Sequence, residues 1–246
     1  MALDGALLQH RIPCLRFYRW SRPTLSLGFH QPLQQRDWLS WQAEGAGDLV
    51  RRPTGGGAVL HGGDLCYAVV LPAPRLSRQQ AYKQICQWLM RSVAALGEPL
   101  QFGSAPAGRE PDCFARSTTA DLINVEGHKR IGSAQRWQQG WLLQHGSIQL
   151  SPDANSWQRL LGSSAPALGP LALHGDALME HLVSDARNWL QLPATPMPLS
   201  AEVLATAGNQ LECYRLPGAD AGEESSETSP LANIECTTWG RASPRG

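Results

Sequence analysis

Apolar positions fall along this chain in short runs, and the spacing within each run separates strands from helices. Leu15–Phe29 alternates apolar and polar residues in bursts broken by Pro23 and Gly28, which predicts two short strands about a turn. Cys66–Leu71 is apolar throughout and reads as a buried strand ended by Pro72 and Pro74, while Arg51–Gly63 before it reads as a glycine-rich loop. The period then changes. Ile85, Leu89 and Val93 recur at a spacing of four, Ser77 and Gln80 form a capping box ahead of them, and Gly97 and Pro99 stop the helix. Gly103–Asp112 has the composition of an exposed loop leading to Cys113. Asp121–Leu150 reads as strand, turn, strand through Leu122, Val125, Trp141–Leu143 and Ile148, and helical patterning returns around Trp157–Leu161 and over Asp176–Leu192. The stretch from Pro217 to Gly246 is dominated by Gly, Ser, Glu and Pro, which predicts disorder. Short strands mixed with a few helices indicate an α+β class, with one domain over residues 1–216 and a tail over 217–246.

Composition narrows the partners. The 246 residues carry 21 Lys plus Arg and 21 Asp plus Glu, so the chain lacks the basic excess that phosphate backbones select, and nucleic acid is not expected as a partner. No apolar run approaches the roughly 20 residues that span a bilayer. The opening MALDGALLQH has an acid at Asp4 and no basic segment, so it does not read as a secretory signal. A cytoplasmic protein away from the membrane is the expectation. The six cysteines (Cys14, Cys66, Cys86, Cys113, Cys213 and Cys236) form no CxxC pair and predict no metal site; they read as reduced thiols.

Two segments carry candidate chemistry. The first runs Arg51-Arg52-Pro53-Thr54-Gly55-Gly56-Gly57 and on to His61. Successive glycines let a backbone approach a ligand and present its N–H groups, and Arg51 and Arg52 can supply cationic donors to a carboxylate or phosphate. A tight turn with two solvated arginines fits the same residues equally well. The second runs Lys129-Arg130-Ile131-Gly132-Ser133-Ala134-Gln135 and continues at His145-Gly146. Its small residues allow close approach, and Lys129 can bind an acyl carbonyl or move a proton. An ordinary hairpin with an exposed lysine is the plainer reading, as is a hydrogen-bonding structural role for His145.

Taken together, these segments resemble the lipoate/biotin protein-ligase superfamily, whose signature is a two-arginine, triple-glycine, histidine loop and a later lysine followed by Gly-Ser-Ala. The resemblance includes Ala2–Asp4 and Trp20–Gln31 and extends to Asp153. It implies the fold shared with class II aminoacyl-tRNA synthetases and biotin protein ligases: a central mixed, largely antiparallel sheet, flanking helices and a small second sheet. It also implies that Arg51, Arg52, Gly55, Gly56, Gly57, His61, Gly132, Ser133, Ala134, Gln135, His145 and Gly146 surround the substrate.

Within the superfamily, Cys113-Phe114, placed 16 residues before Lys129, resembles the octanoyltransferases of the LipM type, as does the run His61-Gly62-Gly63-Asp64-Leu65-Cys66-Tyr67. That likeness implies catalysis by Cys113 and Lys129. An octanoyl group leaves an acyl-carrier protein, rests on Cys113 as a thioester, and passes to a lysine of a lipoyl domain such as glycine-cleavage H protein or a 2-oxoacid dehydrogenase E2. No cofactor is implied, since one thioester replaces another. Three other readings stay open. One is an ATP- and Mg-dependent ligase working through an acyl-adenylate; the others are an amidotransferase between lipoyl domains and a non-catalytic acyl-binding protein. Three positions depart from the pattern: Arg130 stands for an aliphatic residue, Gly62 for an acid, and Cys66, read as buried and inert, for a hydroxyl residue. Cys113 itself reads, on its chemistry alone, equally well as a small buried hydrophobe.

Overall fold

The computed structural model describes residues 1–33, 36–73, 75–103, 121–190, 194–196, 198–216 and 236–239. Cys113 and the loop leading to it lie outside these residues. In chain order the elements are α1 (Ala2–Gln9), β1 (Cys14–Tyr18), β2 (Thr24–Leu27), α2 (Arg36–Ala43), β3 (Asp48–Arg51), β4 (Val59–His61), β5 (Asp64–Pro72), α3 (Arg78–Ala95), β6 (Gln101–Phe102), β7 (Leu122–Ile123), β8 (Lys129–Gln138), β9 (Trp141–Gln149), α4 (Ala154–Leu161), α5 (Gly175–Leu190), β10 (Ala194–Pro196), α6 (Ala201–Asn209), α7 (Leu211–Tyr214) and β11 (Cys236–Trp239).

The unbroken apolar run of β5 has its reason in the sheet it enters. An eight-stranded sheet has the order β10-β11-β1-β5-β9-β8-β7-β6, every pairing in it is antiparallel, and β5 lies between β1 and β9. One set of alternating residues (Leu65, Tyr67 and Val69) packs with Trp88 and Leu89 of α3 and Leu178 and Leu182 of α5. The other set, Ala68 and Val70, packs with Leu3 and Leu7 of α1 and Val203 of α6. A strand covered on both faces must be apolar at every position.

Helix α3 takes the form its sequence predicts. Ser77 caps it, the capping box with Gln80 is closed, and Ile85, Leu89 and Val93 are buried. The β8–β9 hairpin turns at Gln139 and Gly140, whose φ values of 48° and 78° are the left-handed pair that a two-residue hairpin turn requires.

A three-stranded sheet of order β3-β2-β4 holds the parallel pairing, between β2 and β3, and packs Leu25, Leu27, Leu49 and Leu60 on Trp38, Trp41 and Trp157. The two short strands predicted within Leu15–Phe29 both form, yet β1 and β2 enter different sheets and do not pair with each other. Part of the predicted Arg51–Gly63 loop is strand, because β4 uses its ladder to complete the small sheet. The region read as strand, turn, strand holds three strands, since Leu122 and Ile123 are a separate short strand. Within the stretch from Pro217 onward, Cys236–Trp239 form a strand whose residues Cys236, Thr237 and Thr238 pair with the otherwise open edge of β1. Two threonines and a tryptophan in that run suit a strand, and an unpaired edge offers it a full set of backbone partners.

Arg130 does alter the packing at its position. The guanidinium is buried, pairs with Glu98, and donates to the carbonyls of Gln149 and Gly169. An arginine replaces an aliphatic residue here at the cost of recruiting partners from three segments.

The core sets the stability of this arrangement. Leu89→Ala, at a fully buried position between α3 and the large sheet, is expected to lower the unfolding free energy by about 3 kcal/mol, checked by urea denaturation.

Candidate active site

The site lies where small residues replace large ones at the centre of the large sheet. Register pairs Tyr67 of β5 with Gly146 of β9, and Gly146 in turn with Ser133 of β8. Gly146 is required there: a Cβ on it would stand 2.5 Å from the Tyr67 ring, 2.6 Å from the Gly132 carbonyl and 2.7 Å from the Ser133 hydroxyl. Beside this row opens a cavity of about 330 Å³. Arg52, Gly55, Gly56, His61, Lys129, Gly132, Ser133, Ala134, Gln135, His145 and Gly146 line it, together with Tyr18, Ser26, Val59, Cys66, Tyr82, Asp121 and Ser147. Arg51 and Gly57 stand off its lining, and Cys113 lies outside the described residues.

The two arginines are not the free cationic donors that the sequence predicts. Nη1 of Arg51 donates to the carbonyls of Gly28 (2.8 Å), Phe29 (3.2 Å) and Gln31 (2.7 Å), so this guanidinium fixes the turn after β2. Arg52 donates to Ser26 O (2.9 Å), Gly55 O (2.8 Å) and Gly57 O (2.6 Å), holding the glycine loop while its side chain reaches the cavity wall. Gly56, at φ 96°, has a backbone conformation that side-chain-bearing residues rarely adopt. Glycine and arginine therefore act together, the one allowing the loop its path and the other binding its carbonyls.

Lys129 is buried, and its Nζ lies 2.9 Å from Oδ1 of Asp121. The backbone N–H of Gly103 donates to the Asp121 carbonyl at 2.9 Å. Gly103 and Asp121 are thus joined directly beside Lys129, and the segment bearing Cys113 starts and finishes at that junction.

A second network tethers the glycine loop to the first helix. Nε2 of His145 is 2.7 Å from the Thr54 hydroxyl and Nδ1 is 3.0 Å from Oδ2 of Asp4, whose other oxygen pairs with Arg16. Burial alone would raise the Asp4 carboxyl, but the Arg16 charge and the His145 hydrogen bond outweigh it and hold the group well below the usual carboxylate range. Burial pushes the His145 imidazole down, the Arg52 charge adds to this, and Asp4 opposes it. Since Asp4 is ionised, it accepts from Nδ1–H, and Nε2 accepts from the Thr54 hydroxyl. His145 therefore has the structural hydrogen-bonding role while also lining the cavity.

The third network is His61, Asp64, Cys66 and Ser147. Burial would raise the Asp64 carboxyl, but the charge and hydrogen bond of His61 prevail, with help from Ser147 and the Gly62 N–H, and lower it. Burial and the Asp64 carboxylate push the Cys66 thiol up. Sequence reasoning missed Asp4, Arg16, Thr54, Asp121 and Ser147 as members of the site. Asp4 had two signals, an acid set inside an apolar run and its place in the resembling stretch Ala2–Asp4.

Two outcomes test these contacts. Asp4→Asn removes the charge that holds Arg16 and His145, and is expected to cost about 3 kcal/mol at neutral pH. Because the folded carboxyl lies below its unfolded value near ~3.9, the wild-type advantage is complete above that pH and shrinks as pH falls beneath it; urea midpoints at about pH 7 and about pH 3 read the difference. Gly146→Ala drives a methyl into Tyr67 and the Gly132 carbonyl, and thermal unfolding should register a loss of about 1–3 kcal/mol.

Comparison with known proteins agrees with this geometry. The chain is 39% identical to octanoyltransferase LipM of Carboxydothermus hydrogenoformans over 173 residues, covering 65% of this chain and 64% of that one. It is 40% identical to the octanoyltransferase LipM of Oceanobacillus iheyensis over 162 residues, covering 61% and 59%. The match thus spans less than two thirds of either relative. Among solved structures, lipoate-protein ligase A bound with ATP superposes with a TM-score of 0.73 at 20% identity, over 86% of this chain and 87% of that one. A bi-partite lipoate protein ligase from Thermoplasma acidophilum, studied with its E2 lipoyl domain, superposes with a TM-score of 0.66 at 19% identity, over 86% of each chain. These two share the fold. The family model of the lipoyl protein ligase A/B catalytic domain matches residues 1–168, and the chain belongs to that family.

Proposed function

We propose that this protein is an octanoyltransferase of lipoate biosynthesis, moving an octanoyl group from an acyl-carrier protein to a lysine of a lipoyl domain through a thioester on Cys113. The observation that carries the proposal is the Gly103–Asp121 junction at Lys129. Cys113 lies eight residues before Asp121, within about 29 Å of it even on a fully extended chain. A chain of that length allows the thiol to reach the lysine on the cavity wall. The LipM relatives, and the Cys113-Phe114 pair that resembles theirs, support the same choice of branch.

In the first step the Cys113 thiolate attacks the carbonyl carbon of the donor thioester, and the carrier thiolate leaves and takes up a proton. Lys129, held against Asp121, places a positive charge at the cavity wall, where it favours the thiolate and the developing oxyanion. Asp112 beside the thiol opposes this and Arg116 favours it. In the second step the neutral amine of an acceptor lysine attacks the acyl-enzyme, Cys113 leaves as thiolate, and the new amide nitrogen gives up its proton. One thioester is exchanged for another before the amide forms, so no ATP, metal or other cofactor enters. The cavity, with Gly132, Ser133, Ala134 and Gly146 along its wall, takes the acyl chain. No helix among the described residues is long and apolar enough to cross a membrane; the proposed reaction is assigned to the cytoplasm together with its proposed carrier and acceptor proteins.

Incubation with octanoyl-carrier protein without ATP is expected to add one octanoyl mass to the intact protein, and Cys113→Ser to add none. Lys129→Ala should slow the adduct by about 10²-fold or more. Transfer that instead needs ATP and free octanoate, and persists in Cys113→Ser, would replace this reading by the ligase one.

A further inference from the structure

The turn between β4 and β5 gathers three unlike ligand atoms beside the cavity. Nδ1 of His61 is 2.7 Å from Oδ2 of Asp64, the Cys66 sulfur is 3.2 Å from that same oxygen, and the sulfur is 3.5 Å from Nδ1. All three residues are buried, and His61 and Cys66 reach the cavity. The spacing His-x-x-Asp-x-Cys escapes a search for paired cysteines, and it is Gly62, at φ 134°, together with Gly63 that folds His61 back onto Asp64.

We propose that His61, Asp64 and Cys66 form a binding site for a divalent transition ion of the zinc class, with its fourth position open to the cavity. Tetrahedral zinc with ordinary bond lengths separates a sulfur from a nitrogen ligand by about 3.6 Å and a nitrogen from an oxygen ligand by about 3.3 Å. The Cys66–His61 distance already has this value, and a carboxylate shift of about half an ångström opens the remaining two edges. A mixed nitrogen, oxygen and sulfur set favours zinc over magnesium or calcium.

Each ligand is also held from behind, as metal ligands are. Ser26 Oγ lies 2.9 Å from Nε2 of His61, so that nitrogen can carry the proton while Nδ1 faces the ion. Trp20 stacks on the imidazole with ring centroids 5.1 Å apart. The Gly62 N–H donates to Asp64 Oδ1 at 3.1 Å and the Ser147 hydroxyl to Oδ2 at 2.6 Å. The Trp20 indole N–H is buried with no hydrogen-bond partner among the described residues. Binding releases to solvent the Cys66 proton and any proton on Nδ1 of His61, leaving the imidazole neutral with its proton on Nε2 and no change of oxidation state.

The test uses the purified full chain, dialysed against zinc sulfate or cobalt chloride. Elemental analysis should find one zinc per chain, and cobalt should give a thiolate charge-transfer band. Cys66→Ser, with folding checked by circular dichroism, should abolish the band, and Asp64→Asn should weaken binding at least about tenfold. In the wild type, zinc should slow alkylation of Cys66, read by peptide mass spectrometry; this measurement does not depend on any variant folding. Absence of stoichiometric binding would overturn the site. So would a cobalt band that survives Cys66→Ser and is lost in Cys113→Ser, or an alkylation rate of Cys66 unchanged by zinc.

Discussion

A carboxylate with no solvent exposure, that of Asp4, holds the site to the rest of the molecule. It brings together Arg16 of β1 and His145 of β9, and through His145 the Thr54 hydroxyl at the head of the glycine loop. Taking such a group out of water is costly unless charge and hydrogen bonds replace what water supplied. Four separate segments must therefore meet in one arrangement before the carboxylate is satisfied. Because the acid sits on α1, this helix cannot slide along the sheet without stranding either Arg16 or His145. The apolar contacts of α1 supply much of the attraction, and the charge network fixes its position.

From that anchor the glycine loop acquires its shape. Thr54 is tied to His145, and Arg52 binds the carbonyls on either side of Gly56. Arg52 thus spends donors on the loop's own carbonyls, and Arg51 spends one nitrogen on the turn after β2. The cavity also offers a substrate its shape: Gly132, Ala134 and Gly146 leave room where larger side chains would meet across the strands. Close packing elsewhere keeps that room from collapsing.

The sequence was most legible where local signals agree with one another. Helix α3 shows this, since its capping box, four-residue period and glycine stop all mark the same segment. The β8–β9 hairpin was legible for a similar reason, with the qualification that β7 is separated from it by the loop at Asn124–Gly127. Helix α1 went unread because Asp4 and Gly5 interrupt its apolar pattern, and both are explained only by distant partners: His145 and Arg16 for the acid, Tyr214 packed against the glycine. Helices α2 and α6, of 8 and 9 residues, are too short to display a period over several turns and went unread too. Strands β1 and β2 were visible as strands, but alternation carries no information about which sheet a strand joins. The site divides along the same line. Glycines and small residues announce close approach locally, whereas the duties of Arg51, Arg52 and Asp121 depend on which carbonyls and charges the folded backbone brings to them.

Under the octanoyl transfer proposed above, Lys129 and Cys113 have to meet the demands of a two-step reaction. A lysine fixed on a central strand and paired with Asp121 keeps one position throughout, which suits a group that must meet both the incoming carbonyl and the outgoing one. The thiol must accept the acyl group from one macromolecule and present it to another. Joining Gly103 to Asp121 sets the ends of its segment 2.9 Å apart at the lysine, so closure of that loop is achieved by backbone pairing and does not depend on the substrate. Doubling the length of such a loop adds only about 0.6 kcal/mol to its closure. Tying Gly103 to Asp121 at the lysine is therefore inexpensive whatever the length of chain between them.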